Sequence, residues 1–424
     1  MKKHLSRRHL LASAAALAAV PAAALAQNTM TQDTTAQATP PADATVPPPP
    51  PAPDATNTAP APDATQAAPV DDTPPGPGVA LSIGTYSSEG GQGLYPIGSY
   101  ISSDDFHVWP AKTDPVNASM VVTGGPKRLN YVVNEQSAGM IGVYDATWTK
   151  VGEVSSQGDS PCYLSIDARG NWLACANYNT GNVVFFPLDP NTGLPGTPVI
   201  RQNRGKSKDP DRQAGPHAHY VEFAPGNSNI FSIDLGTDEV INYTFDSQGG
   251  KIGQKTTALK LPKGSGPRHM VFHRDGFHVY VVSELANTIT MCEQTNMVSL
   301  DAKQTISTLP AGFTGHSQAG EIAINSRGTR LYVSNRGHNS IAVFSIDGNG
   351  KLSPLQTVSC GGDWPRMFVL LEDQYLAGVP RLLVANEKSN NVVPFRVQPD
   401  GTLVQQGLVL DVPAPVFIGF ELQG

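Results

Sequence analysis

Four side chains of this 424-residue chain, His219, Arg268, Glu284 and Arg336, have the types and spacing for acyl chemistry on an ester. Such chemistry needs a general base to take a proton from water, a cation or donor for the oxyanion, and an acid for the leaving alkoxide. Arg268 and Glu284 bracket the stretch GPRHMVFHRDGFHVYVVSE. MVFH and HVYVVS read as strands and RDG as the tight turn between them. In an antiparallel hairpin the start of one strand lies beside the end of the next, so both charges should emerge at one edge. Glu284 is one candidate base, although a close guanidinium lowers its pKa and weakens it. His219, which titrates near neutrality, is the other.

The strands that must position these residues repeat. Phe272 and Ser283 are eleven residues apart, and the same separation links Ile166 to Asn177, Phe223 to Asp234 and Ile324 to Asn335. A later copy ends at Asn386 with a five-residue insertion, and weaker copies end at Thr85 and Asn134. The seven ends lie 49, 43, 57, 49, 52 and 51 residues apart, a period suited to a four-stranded blade. The reading is all-β: a seven-bladed β-propeller over 79–424, preferred to a β-sandwich. The first unit lacks an opening strand, and the C-terminal PAPVFIGFEL overlays on DWPRMFVLLE. That segment should join the first blade and close the ring, leaving no open sheet edge.

The register then sorts the polar residues. Cys162, His219, Arg268, Gly320 and Arg366 open the innermost strands, while Tyr86, Glu135, Tyr178, Leu235, Glu284, Arg336 and Glu387 follow the second strands. Both slots should face the mouth of the central channel. There His219, Arg268, Glu284 and Arg336 are the expected catalytic group, with Arg366, Glu387, His217 and Glu135 around them for substrate. Each has a plainer reading: a histidine satisfying a strand-end carbonyl, or structural ion pairs of Arg268 and Arg336 with Glu284 or Glu387. His269 and His273 read as packing residues, and Asn134, Asn177 and Asn386 as binders of strand-end backbone.

Composition supports a turn-rich β protein, with 15% charged residues, 41 Gly and 37 Pro. The formal charge is -7, and about -11 without the four basic residues of the first 26, which opposes nucleic acid as a partner. Residues 1–26 have a basic start with Arg7-Arg8, an apolar run and an Ala-Leu-Ala ending, the pattern of a removable export signal of twin-arginine type. Residues 27–78, rich in Pro, Ala and Thr, read as a disordered linker. The expected location is the periplasm, with no membrane association after cleavage and a monomeric state. Cys162, Cys175, Cys292 and Cys360 show no zinc spacing, and Cys162 with Cys175 read as small buried residues rather than a bridge. No G-x-S-x-G elbow, Walker or dinucleotide pattern is found, so neither a metal nor a cofactor is expected.

Over about 80–422, GPRHMVFHRDGFHVYVVSELANT, GPHAHYVEFAP, AGEIAINSRGTRLYVSNRGHNSIAVF, WPRMFVLLEDQYL and SPCYLSIDARGNWLACANYNTGNVVFFPLD resemble the seven-bladed lactonase family, which includes propeller-type 6-phosphogluconolactonase and 3-carboxymuconate lactonizing enzyme. The resemblance implies a lactone-handling propeller and maps the lactonizing enzyme's proposed site onto His219, Arg268, Glu284 and Arg336. Arg268 and Arg336 would then hold a substrate carboxylate or phosphate and the oxyanion. The leading expectation is metal-independent hydrolysis of a sugar lactone, similar to 6-phosphogluconolactonase. The alternatives are a non-catalytic propeller binding a small anion or protein, and a cyclase of an unsaturated dicarboxylate.

Overall fold

The computed structural model describes residues 79–99, 106–372 and 379–421. The export signal, the linker and most of the insertion before Asn386 lie outside them. Alternating apolar residues and frequent turns produce seven antiparallel sheets, each a blade. Blade five, for example, runs Pro267–Phe272, His278–Ser283, Thr288–Gln294 and Leu300–Ser307 outward from the axis. The first strands of the blades, Val121–Gly124, Pro161–Ile166, Ala218–Phe223, Pro267–Phe272, Gln318–Ile324, Pro365–Leu371 and Pro415–Phe420, contact one another in a complete circle. The last of these pairs antiparallel with Val79–Thr85, so the C-terminal segment supplies the innermost strand of blade one, as its sequence suggested.

Seven hydrophobic clusters fill the interfaces between adjacent blades. Phe231, Ile233 and Val240 of blade four, for instance, pack against Met270, Val279 and Val281 of blade five. Strand-end asparagines add a polar latch. Asn177, Asn335 and Asn386 donate side-chain hydrogen bonds to the carbonyls of Ser156, Thr308 and Cys360, each just past the outer strand of the preceding blade. Asp234 cannot donate there, and it instead accepts from the Asn203 side chain at 2.8 Å. The four cysteines are buried free thiols, and Cys175 pairs in register with Leu164 rather than Cys162.

One departure from regular pairing matters for chemistry. The register slips at the start of six innermost strands, on Cys162, His219, Arg268, Gly320–Glu321, Arg366 and Val416. Such a β-bulge inserts one unpaired residue and re-aims its side chain. The sequence slot that held His219, Arg268 and Arg366 is therefore a column of bulges.

Candidate active site

Glu284 follows the second strand of blade five and is almost completely buried, at 1% exposure. Its carboxylate meets three guanidiniums: Arg336 Nη2 at 2.7 Å and Arg268 Nε at 3.3 Å from Oε2, and Arg212 Nη2 at 2.6 Å from Oε1. Burial alone would raise its pKa, but Arg336, Arg212 and Arg268 together hold it down at about 2. Two backbone carbonyls of blade six also accept from these arginines. Arg268 Nη1 donates to the Gly320 carbonyl at 3.1 Å, and Arg336 Nη2 to the Ala319 carbonyl at 2.9 Å. Burial and the neighbouring Arg336 draw Arg268 down to about 10, which leaves it cationic at neutral pH.

His219 lies outside this ion cluster but shares with Arg268 a cavity of about 60 Å³ on the axis. Residues from the innermost strands of all seven blades or their immediate flanks line that cavity, including Cys162, His269, Glu321 and Arg366, and Glu135 joins them from the end of a second strand. His219 Nδ1 is buried without a hydrogen-bond partner among the described residues. Burial, then Arg268, His269 and Arg366, push its pKa well below the ordinary histidine value, so the ring is neutral at pH 7. Its ring meets Tyr178 edge-on at 5.4 Å, and Tyr178 in turn stacks on His217 at 4.5 Å. His217 Nδ1 sits 3.0 Å from the Tyr178 carbonyl, which places His217 at the periphery.

A second cluster surrounds Arg366. Its Nη1 lies 3.5 Å from Glu387 and its Nη2 3.9 Å from Glu135, and Nη2 also bonds the Tyr86 hydroxyl. That hydroxyl donates to Glu135 at 2.8 Å. The expected substrate-binding residues Arg366, Glu387 and Glu135 thus come together around Tyr86.

Three groups escaped the sequence reading. Arg212 lies in the long segment between the Val199–Gln202 and Ala218–Phe223 strands, where no repeat register applies. His269, read there as packing, instead places Nδ1 3.1 Å from Glu321 Oε2 and its ring 5.1 Å from that of His219. The signal was present: the column after the bulge reads Tyr163, Tyr220, His269, Glu321 and Met367, largely polar or aromatic. Further along the axis Glu222 interacts with Tyr163, and burial raises its pKa to about 7.

The chain matches a known family model, described as lactonase with a 7-bladed β-propeller, over residues 80–420. The chain belongs to this lactonase family. Among curated relatives, a 6-phosphogluconolactonase of Bacillus subtilis is 30% identical over 348 residues, covering 80% of this chain and 97% of the relative. Among solved structures, a periplasmic gluconolactonase of Pseudomonas aeruginosa aligns with a TM-score of 0.72 and 26% identity, covering 81% and 99% of the two chains. A protein of Lactobacillus plantarum aligns with a TM-score of 0.74 at 27% identity, covering 81% and 99%. As a lactonase-family propeller, the chain has reason to keep ionisable groups on its axis while its blade interfaces stay apolar.

Proposed function

We propose that this protein hydrolyses an unphosphorylated sugar lactone at the mouth of the axial cavity, after export to the periplasm. The observation that carries the reading is the convergence of His219, Arg268 and Arg366 on one small cavity bordered by every blade. A cavity of about 60 Å³ has room for a few waters. The lactone ring therefore rests at the opening with its carbonyl turned inward. Neutral His219 takes a proton from a water, whose oxygen adds to the carbonyl carbon. Arg268 and Arg366 stabilise the oxyanion, the ring C–O bond breaks, and the histidine returns the proton to the departing alkoxide, giving the hydroxy acid. Glu284, ionised and enclosed by three guanidiniums, is a positioning group rather than the base.

Charge balance selects among substrates. Arg212, Arg268, Arg336 and Arg366 are matched by Glu284, Glu135, Glu387 and the axial Glu321. Such a neutralised site suits an uncharged lactone that develops charge only in the transition state. It suits less well a dicarboxylate to be cyclised, or an anion held in the ground state. The leader pattern of residues 1–26 points the same way, since phosphorylated sugar lactones arise inside the cell. The periplasmic gluconolactonase among the structural relatives agrees with this location. The test measures opening of gluconolactone and its 6-phosphate by the wild type and His219→Ala, corrected for spontaneous hydrolysis. Equal rates in the two proteins would remove the catalytic reading, and a strong preference for the 6-phosphate would remove the unphosphorylated substrate.

A further inference from the structure

At the far end of blade five from Arg268, the turn HRDGFH gathers three ligand-type side chains. His273 Nδ1 lies 2.8 Å from Asp275 Oδ2, and His278 Nδ1 lies 2.6 Å from the same oxygen. The three donor atoms all fall within 4.8 Å of one another. We propose that His273, Asp275 and His278 form a site for a divalent transition metal of the Zn²⁺ class, with an open coordination position toward solvent.

Tautomer geometry is the first argument. His273 Nε2 is 2.9 Å from the Gly328 carbonyl, which can only accept, so this nitrogen carries a proton. On the other side the Asp275 backbone N–H points at His273 Nδ1 from 3.3 Å, a role for a lone pair. That lone pair also faces the carboxylate oxygen. Two acceptors at 2.8 Å require a positive centre between or beside them, either an added proton or a metal. The second imidazole on the same oxygen makes a shared metal the arrangement that uses all three donors. Tetrahedral Zn²⁺ with bonds of about 2.0–2.1 Å spaces its ligands about 3.4 Å apart. The present separations, 2.6 and 2.8 Å from the shared oxygen and at most 4.8 Å between any two donor atoms, bracket that spacing.

The surroundings resemble those of a built site. A metal-bound histidine commonly donates its other N–H to a backbone carbonyl, as His273 does to Gly328. Asp275 is held by its second oxygen, which accepts from the Phe277 and His278 amides at 2.8 and 3.0 Å. Two glycines of the neighbouring blade make room for the rings. A Cβ on Gly328 would lie 2.3 Å from His273 Nε2, and one on Gly350 2.5 Å from the His278 ring. Both glycines also have positive φ, at 70° and 75°. The metal would thus hold the blade-five turn against two turns of blade six, about 20 Å along the strands from the lactone site.

The experiment strips the full-length protein with a chelator and titrates it with Zn²⁺ against a chromophoric competitor, following thermal unfolding in parallel. One equivalent should bind with micromolar or tighter Kd, and the melting temperature should rise with Zn²⁺ concentration. Asp275→Asn and His278→Ala should each weaken binding at least tenfold, while His107→Ala on blade one should not. Co²⁺ should give the visible absorption of a tetrahedral site. Absence of saturable binding by the wild type would show that a proton holds the position and overturn the proposal. Unchanged binding in Asp275→Asn and His278→Ala would do the same. Should His278→Ala fail to fold, Asp275→Asn, checked by circular dichroism, decides.

Discussion

Glu284 Oε2 lies 2.7 Å from Arg336 Nη2 across the boundary between blades five and six. The Glu284 carbonyl also accepts the Ala319 amide, and Arg336 closes the loop by donating to the Ala319 carbonyl. The pair is therefore both a seam between blades and the support for Arg268. Glu284→Gln leaves three guanidiniums around a neutral amide. A buried pair broken on one side costs about 3–5 kcal/mol, and misplacing an oxyanion donor costs about 10²-fold or more in kcat. Chemical denaturation and gluconolactone kinetics should both register the change. Retention of wild-type kcat would show that Arg268 does not depend on Glu284.

His219 gives the site its pH signature. Burial and Arg268 hold the folded-state pKa well below the ordinary histidine value, so the neutral base persists as pH falls through 6.5. The acid limb of kcat/KM should accordingly lie well below the ordinary histidine range, and His219→Ala should remove it together with about 10²–10⁴-fold of the rate. A limb centred near 6.5 would mean that a solvated histidine, not His219, is the base. The same shift affects stability. The unfolded histidine binds its proton near 6.5 and the folded one does not, so His219 favours the fold above pH 6.5 and this contribution is lost as pH falls through the folded pKa.

Glu222 has the opposite sign. Its folded pKa is raised to about 7, whereas an unfolded glutamate releases its proton near 4.5. The stability it contributes is fully present below pH 4.5 and lost as pH rises through 7. Glu222→Gln should therefore gain over the wild type between pH 5 and pH 8. Because the side chain retains some solvent contact, the gain should be about 1 kcal/mol. Melting curves at the two pH values measure it, and a gain that is the same at both would refute the titration.

Export is testable by replacing Arg7 and Arg8 with lysine. The expected outcome is uncleaved precursor in the cytoplasm, detected by fractionation and mass spectrometry. Processed protein in the periplasm of that variant would exclude the twin-arginine route.

How much the sequence disclosed follows from the range of each signal. The eleven-residue separation and the strand alternation are local, so the blade count was legible from one-dimensional pattern alone. Of the seven second-strand ends read from sequence, Thr85, Asn134, Asn177, Asp234, Ser283 and Asn386 are the final strand residues, and the strand at Asn335 runs one residue further to Arg336. The likeness between the C-terminus and the opening of blade seven foretold the closing strand for the same reason.

The sequence by itself determined the ring, its closure and the two columns that hold Arg268 and Glu284. Tertiary structure decided what those columns do. Bulges turn His219, Arg268 and Arg366 toward the axis, yet one unpaired residue leaves no periodic trace. Arg212 reaches Glu284 from a loop with no register, and its arrival completes the triple pairing that holds Glu284 ionised. Proximity of residues 72 positions apart is a property of how blades close around an axis. Pattern within a blade carries no information about it.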